Sequence, residues 1–413
     1  MDSSSTSFYG APVNKKNRKI REAGMAYAKQ RVMLDADSHI METPDWVSRH
    51  ADPKIREQLN PLALGKAGGA TYQAIEKAMA RTEKRKAEGA VIEDVVKGAK
   101  GWSAPGAFDS GERVKALDDL GFNAQLVFST FSAGQYLNHK DMDVRYGGLR
   151  AHNRAMAEFC GADQRLIAVG QLSLSDPARC VREIEEGAKM GCGAFWIPGT
   201  PVDDHSPGHP DVDRVWAALS DHKIPFMLHV GPNSNFVPKA YLNNGKPIPP
   251  DIVGGGENLR VRDFVTLSFG PQLFLTALVF DGVFERFPNL RGGVIELGAG
   301  WAPEFLRNLD ISQKIFKRSD PQVAELPMKA SDYVRRALRF TPFPGEDVGR
   351  MINPLTLWGQ GIGSMVQGLG GTFLEDLVYD ENGQLLAGSF ADYLLPTADQ
   401  YPNLRAQVIE LKP

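Results

Sequence analysis

An α/β protein with a parallel sheet is what this sequence predicts, and three observations carry that reading. Short apolar runs alternate with helical stretches of about ten to fifteen residues from Val114 to Thr341, the pattern of strands joined by crossover helices. No G-x-G-x-x-G follows an early strand, which weighs against a dinucleotide-binding doubly wound sheet, although that architecture and a (β/α)8 barrel both fit the length. Asp37, His39, His229 and Glu296 all fall at or near the C-terminal ends of expected strands, where a barrel keeps its chemistry. The reading adopted is a TIM-barrel-like (β/α)8 fold.

In chain order, residues 1–30 run from a polar arm into a charged, helix-like segment, Lys16 to Gln30. Arg31-Val32-Met33-Leu34 reads as a buried strand leading into Asp35-Ala36-Asp37-Ser38-His39, and Glu42-Thr43-Pro44-Asp45-Trp46 as a turn opening a short helix. The Ala/Lys/Glu/Gly-rich stretch from about Arg56 to Pro105 reads as a surface insertion of helix and loop with solvated charge runs. Then follow a helix at Val114 to Leu120, a strand at Asn123 to Phe128, a helix at Asp143 to Cys160 and a strand at Leu166 to Leu174. Asp176-Pro177 supplies a cap and a first-turn proline for a helix reaching Met190. A strand at Gly193 to Pro198, a helix at Pro210 to His222 and a strand at Pro225 to Val230 come next. After a Gly/Pro/Asn-rich loop, Val265 to Phe287 reads as one long apolar helix, followed by a strand at Arg291 to Leu297, a helix at Trp301 to Phe316 and a strand at Ala337 to Thr341.

Composition narrows the function classes. A chain of 413 residues with 42% hydrophobic content can bury a large core, in one domain or two. A net charge of −3 gives no electrostatic case for nucleic acid. Three cysteines without a C-x-x-C, Cys160, Cys180 and Cys192, suit reduced thiols and a cytoplasmic setting. No run reads as a membrane span and the N-terminus lacks the apolar core of a secretory signal, so no membrane partner is expected. A small-molecule substrate and a homodimer are compatible with all of this.

Asp37 and His39 lie two positions apart, so on a strand both project to one face. Carboxylate oxygen plus imidazole nitrogen suits a divalent metal such as zinc. A capping aspartate and a surface histidine would be the plainer explanation of so short a pattern. His229 ends an apolar run ahead of Gly231-Pro232, where a core histidine bonded to a backbone carbonyl is the alternative to a ligand; with Asp37 and His39 at hand, ligand is the stronger expectation. Glu296 is a carboxylate in an otherwise apolar strand, costly to bury unpaired, and is expected beside a metal or a glycine-loop donor as acid/base or ligand orienter. Trp196 is core or a substrate-pocket wall, and His205 and His209 belong to a solvated loop.

These residues resemble the amidohydrolase-related family, the branch with aminocarboxymuconate-semialdehyde and resorcylate-type decarboxylases, over roughly Met25 to Ile352. The resemblance lies in Leu34-Asp35-Ala36-Asp37-Ser38-His39, in Pro225-Phe226-Met227-Leu228-His229, and above all in Phe284-Glu285-Arg286-Phe287-Pro288-Asn289-Leu290 through Gly298-Ala299-Gly300-Trp301 to Leu309-Asp310. It implies a metal-dependent barrel with Asp37 and His39 as the first-strand ligands and His229 as the fifth-strand ligand, zinc ahead of manganese. Glu296 stands where several members carry a catalytic histidine. The family's last strand, reading roughly Ser-Asp-Tyr-Pro-His and supplying a ligand aspartate, has no counterpart after Ile352.

Instead, residues 353–413 resemble a fragment of molybdenum hydroxylase large subunits, through Gly359-Gln360, Val366-Gln367-Gly368-Leu369-Gly370 and Gly388-Ser389-Phe390-Ala391-Asp392-Tyr393. Gln360 and the Gly-rich Gly359 to Gly371 would lie near that family's cofactor, but the rest of its molybdopterin site is missing, so molybdopterin is not expected here. The expected organisation is an arm (1–30), a barrel (31–352) without its last strand, and a foreign α+β fragment (353–413). The expected activity is a metal-dependent carboxy-lyase on an unsaturated or aromatic carboxylic acid. Hydrolysis of a small cyclic, ester or amide substrate and a catalytically impaired fusion are the alternatives.

Overall fold

Seven parallel strands form one sheet in strict chain order: β1 (Leu34–His39), β2 (Ala124–Phe128), β3 (Leu166–Gln171), β4 (Cys192–Trp196), β5 (Phe226–His229), β6 (Gly292–Ile295) and β7 (Leu338–Phe340). This is a computed structural model, and it describes residues 28, 32–62, 68–88, 101–200, 205–231, 239–247, 261–343, 345, 346 and 381. The expected arm apart from Ala28, the Gly359–Gly371 segment with Gln360, and nearly all of 353–413 lie outside the described residues.

Helices cross between successive strands: α1 (Ser110–Leu120) leads into β2, α2 (Met142–Cys160) joins β2 to β3, α3 (Pro177–Met190) joins β3 to β4, and α4 (Asp213–His222) joins β4 to β5. Their ends follow local chemistry. The Asp176 carboxylate accepts from the Arg179 amide at 3.0 Å ahead of Pro177, and Gly191, at φ +102°, ends α3 in the left-handed region that only glycine adopts freely. Each expected strand is present, with its ends moved by a few residues.

Distances across the sheet show that it is rolled. β1 and β5 are four strands apart in order, about 19 Å on a flat sheet at the usual spacing. Yet His39 Nε2, on the last residue of β1, lies 3.2 Å from His229 Nε2, on the last residue of β5. The parallel sheet therefore curls as a (β/α)-barrel does, with the C-terminal ends of its strands converging. Seven strands are present among the described residues.

Four expectations need correction. Val32 and Leu34 are exposed and pairing starts only at Leu34, with β2 the one strand beside β1 among the described residues. The long helix expected at Val265 to Phe287 is three pieces, Val261–Thr266, α5 (Phe269–Phe280) and Val283–Arg286. Pro271 is tolerated in the first turn of a new helix but not in mid-helix, and Gly282 at φ +72° ends the run. The span Val261–Phe280 has the length and apolarity of a membrane-crossing segment, against the expectation that no run reads as a membrane span. Finally, the insertion at 56–105 has a core of its own: Leu62, Ile75, Ala78 and Trp102 pack together, and Trp102 stacks on Phe131 with ring centres 5.3 Å apart.

A polar cluster sits beneath the strand ends. His152 on α2 is fully buried, with Nδ1 3.1 Å from Asn153 Oδ1 and Nε2 2.9 Å from Ser129 Oγ. Burial lowers its pKa to about 4, although the Asn153 contact works in the opposite direction. Between its ordinary value of 6.5 and about 4, the unfolded chain binds this proton and the folded chain does not. Stability from this site is therefore full above pH 6.5 and is lost as the pH falls towards 4, about 3 kcal/mol in all. Urea titrations at pH 7 and 4.5 should show that drop in the wild type and a smaller one in His152→Gln. Equal pH slopes in the two proteins would refute the assignment.

Candidate metal centre

β1 does not run straight into the site. Leu34 and Asp35 pair with Ala124 and Gln125, while Ser38 and His39 pair with Val127 and Phe128, so β1 carries one extra residue between them. Such a bulge re-aims the side chains beside it. The Asp37 amide donates to Asp35 Oδ1 at 3.0 Å and Gln125 Nε2 donates to Asp35 Oδ2 at 2.9 Å, which fixes the bulge. Arg113 on α1 secures the strand's end, donating to Ser38 Oγ at 2.7 Å, the His39 carbonyl at 2.5 Å and the Gly106 carbonyl at 2.8 Å.

Asp37, His39 and His229 meet at one point. Asp37 Oδ1 lies 3.3 Å from His39 Nε2 and 3.2 Å from His229 Nε2, and the two Nε2 atoms are 3.2 Å apart. The triangle is nearly equilateral. Donors around a four-coordinate ion with bonds of about 2.0–2.1 Å stand about 3.3–3.4 Å apart, so it has the size of one face of such a site. Glu296 Oε2 is 3.5 Å from His229 Nε2 and 3.9 Å from His39 Nε2.

The outward nitrogens decide what the inward ones can do. His229 Nδ1 is 2.6 Å from the Val230 carbonyl, which can only accept, so Nδ1 carries a proton. Thr130 Oγ1 donates to the Ile40 carbonyl at 2.7 Å and lies 3.2 Å from His39 Nδ1, which makes that nitrogen the donor. In the neutral imidazoles this tautomer leaves both Nε2 lone pairs bare, facing each other and a carboxylate. That arrangement requires a positive centre, either a proton or a metal ion, and the donor set of two imidazoles and a carboxylate fits a divalent metal. Burial pushes the Asp37 carboxyl up, but protons donated from His229 Nε2, and then from His39 Nε2, outweigh it and hold Asp37 well below the usual carboxylate range, so without a metal ion protons on Nε2 take the part of the positive centre.

The walls are aromatic. The Phe128 ring lies 4.4 Å from that of His229 and 5.7 Å from that of His39, centre to centre. Trp196 meets His229 edge-on at 5.6 Å; it is buried, and among the described residues its indole N–H has no partner. Gly231, at φ +152°, lets the chain turn past Trp196, where a Cβ would come within 2.6 Å of the indole. His205 and His209 stand apart from this centre, their rings packed edge to face at 4.2 Å in a largely exposed turn.

Two supporting residues escaped the sequence reading. Thr130 holds His39, as above. Glu42 is wholly buried and accepts from the amides of Thr130, Phe131 and Ser132 at 3.0, 3.0 and 2.9 Å. Neither had a local pattern to betray it, since each meets its partner across about ninety residues of chain.

Comparison with known proteins then fixes the lineage. Residues 35–340, well over half of the chain, match the family model for amidohydrolases. The chain belongs to the amidohydrolase family. An amidohydrolase of Mycobacterium avium subsp. paratuberculosis superposes on this chain with a TM-score of 0.57 at 20% identity, covering 78% of this chain and 87% of the other. The 2,6-dihydroxybenzoate decarboxylase from Rhizobium gives 0.50 at 15% identity, over 79% and 84% of the two chains. A dihydroxybenzoic acid decarboxylase from Polaromonas sp. JS666, with bound manganese and the inhibitor 2-nitroresorcinol, gives 0.50 at 14% identity, over 79% and 83%. At these identities the likeness establishes the fold.

The C-terminal region matches a different family. Residues 343–402 match the model for the molybdopterin cofactor-binding domain. The chain is 49% identical over 75 residues to the 6-hydroxypseudooxynicotine dehydrogenase complex subunit gamma of Paenarthrobacter nicotinovorans, a match covering 18% of this chain and 9% of that protein. It is 35% identical over 116 residues to the nicotine 6-hydroxylase large subunit of the same organism, covering 27% and 14%. The matched region thus spans about a tenth of these curated relatives. The molybdopterin match begins about ten residues before the junction expected at 353. Near that start, Glu346 accepts from the amides of Ala299 and Gly300 at 2.9 Å each and from that of Phe343 at 2.9 Å.

Proposed function

We propose that the barrel holds one divalent metal, zinc ahead of manganese, on Asp37, His39 and His229, and acts as a carboxy-lyase on an aromatic or unsaturated carboxylic acid. The observation that carries the metal reading is the inward-facing pair of Nε2 atoms at 3.2 Å beside the Asp37 carboxylate. Two proteins of the same fold are decarboxylases of dihydroxybenzoates, and the reaction class is taken from them. When bound, the metal supplies Lewis acidity to the substrate's carboxylate or to an adjacent hydroxyl or water. The chain's own groups do the rest. Phe128 and Trp196 form an apolar wall that suits an unsaturated ring, and the Trp196 N–H is the donor assigned to the substrate's carboxylate. His229 fixes the reacting end of the substrate through its place at the centre. Glu296, with 43% of its side chain exposed, faces the solvent side, where it can orient water or carry a proton. The free, buried thiols of Cys160, Cys180 and Cys192 accord with the reducing cytoplasm proposed as its setting.

The test is metal analysis joined to product analysis. Purified full-length protein should carry about one zinc or manganese per chain, as an isolated three- to four-donor site would. With ortho-hydroxylated benzoates it should release CO2, and a chelator should stop this. Hydrolysis of an ester or lactone without CO2 release would replace the lyase reading with a hydrolase one. Protein that neither retains nor takes up metal would overturn both.

A further inference from the structure

We infer that Glu296 is a metal ligand in its own right, closing within the barrel a centre for which the sequence offers no last-strand aspartate. The inference rests on the metal reading above and changes the part Glu296 plays in it. Asp37, His39 and His229 form one triangular face, and Glu296 Oε2, at 3.5 and 3.9 Å from two of its corners, stands off that face where a fourth donor belongs. One donor atom from each of the four residues lies within 4.8 Å of the other three. Two carboxylates and two neutral imidazoles balance the charge of a divalent ion, whereas three donors with a single carboxylate leave one positive charge over.

The backbone gives a second, independent reason. Glu296 sits at φ +53° in the left-handed region, which is uncommon for a residue with a side chain and clusters at functional sites. Its amide donates to Thr341 Oγ1 at 3.1 Å, and the Thr341 amide donates to the Val294 carbonyl at 3.0 Å, so β6 and the residue after β7 hold it in that conformation. A strand running on regularly from Ile295 would alternate residue 296 to the opposite face from its neighbour. The left-handed turn redirects Glu296 towards the two histidines. An acid/base group needs only proximity to substrate; a ligand needs this placement against the other donors.

Zinc titration against a chromophoric chelator separates the roles, with Glu296→Gln and Glu296→Ala beside the wild type and circular dichroism to confirm folding. As a ligand, Glu296 should lower zinc affinity by more than about 100-fold when replaced, beyond the 10–100-fold that residues which only orient ligands cost. Cobalt(II) bound to the wild type should give a four-coordinate visible spectrum that changes in both variants. An unchanged cobalt spectrum with zinc affinity within about 100-fold of the wild type in both variants would overturn the inference and leave the metal reading intact. A wild type that binds no zinc would remove the metal reading itself, and this inference with it.

Discussion

His229→Ala is expected to strip the barrel of metal, with zinc affinity falling by more than about 100-fold. The expectation follows from how completely the residue is committed. Its side chain is 3% exposed, its Nδ1–H is engaged by the Val230 carbonyl, and its Nε2 lies within 3.5 Å of Asp37, His39 and Glu296 alike. Among the donors it is also the most central in the fold, on β5 with β4 and β6 on either side. Removing it leaves Asp37 and His39 from β1 facing a lone carboxylate from β6 across an empty corner. Because Phe128 and Trp196 flank the ring, the vacated space is apolar and does not invite a replacement donor. Metal content after dialysis, measured against the wild type, is the check; retention of a full equivalent would mean that the centre lies elsewhere.

How much of this could be read from the sequence depends on the range of each interaction. The strands were legible because each is a short apolar run bracketed by its own punctuation, such as Asp176-Pro177 and Gly191 around α3. Asp37, His39 and His229 were legible because strand ends are where a barrel gathers its chemistry, and the rolled sheet does bring them together. The bulge that aims Asp37 was not, since it depends on the register of β1 against β2, about ninety residues away. Nor was the core of the insertion: Leu62 and Trp102 are widely separated in a charged, Ala-rich background with no period to connect them. Glu296 was noticed as a carboxylate out of place, but its left-handed backbone and the hold of Thr341 on its amide exist only in three dimensions. Local pattern thus marked the donors, while the parts that aim them come from long-range contacts.

Those long-range parts lead to the second large effect, at Glu42. Glu42→Ala is expected to cost about 3–6 kcal/mol, because it strands three amides, one buried and two half-buried, at about 1–2 kcal/mol each, a large share of a typical domain's 5–15 kcal/mol. The amides belong to Thr130, Phe131 and Ser132, and both carboxylate oxygens serve them: Oε1 accepts from all three, and Oε2 lies 3.1 and 3.2 Å from the first two. The same loop carries the Thr130 hydroxyl that fixes the proton of His39 on Nδ1 and keeps Nε2 bare. Damage at Glu42 should therefore reach the metal centre without touching it, lowering zinc affinity about 10–100-fold in whatever fraction stays folded. Glu42→Gln retains the shape but turns an N–H towards amides that need an acceptor, and should fall between Ala and the wild type on both measures. Thr130→Val leaves the Glu42 network in place and removes only the hydroxyl, so it should weaken zinc binding with a much smaller loss of stability. Urea denaturation midpoints and zinc titrations on the three variants are the measurements. If Glu42→Ala lost stability while its folded fraction bound zinc like the wild type, the loop would be holding the fold together without orienting His39.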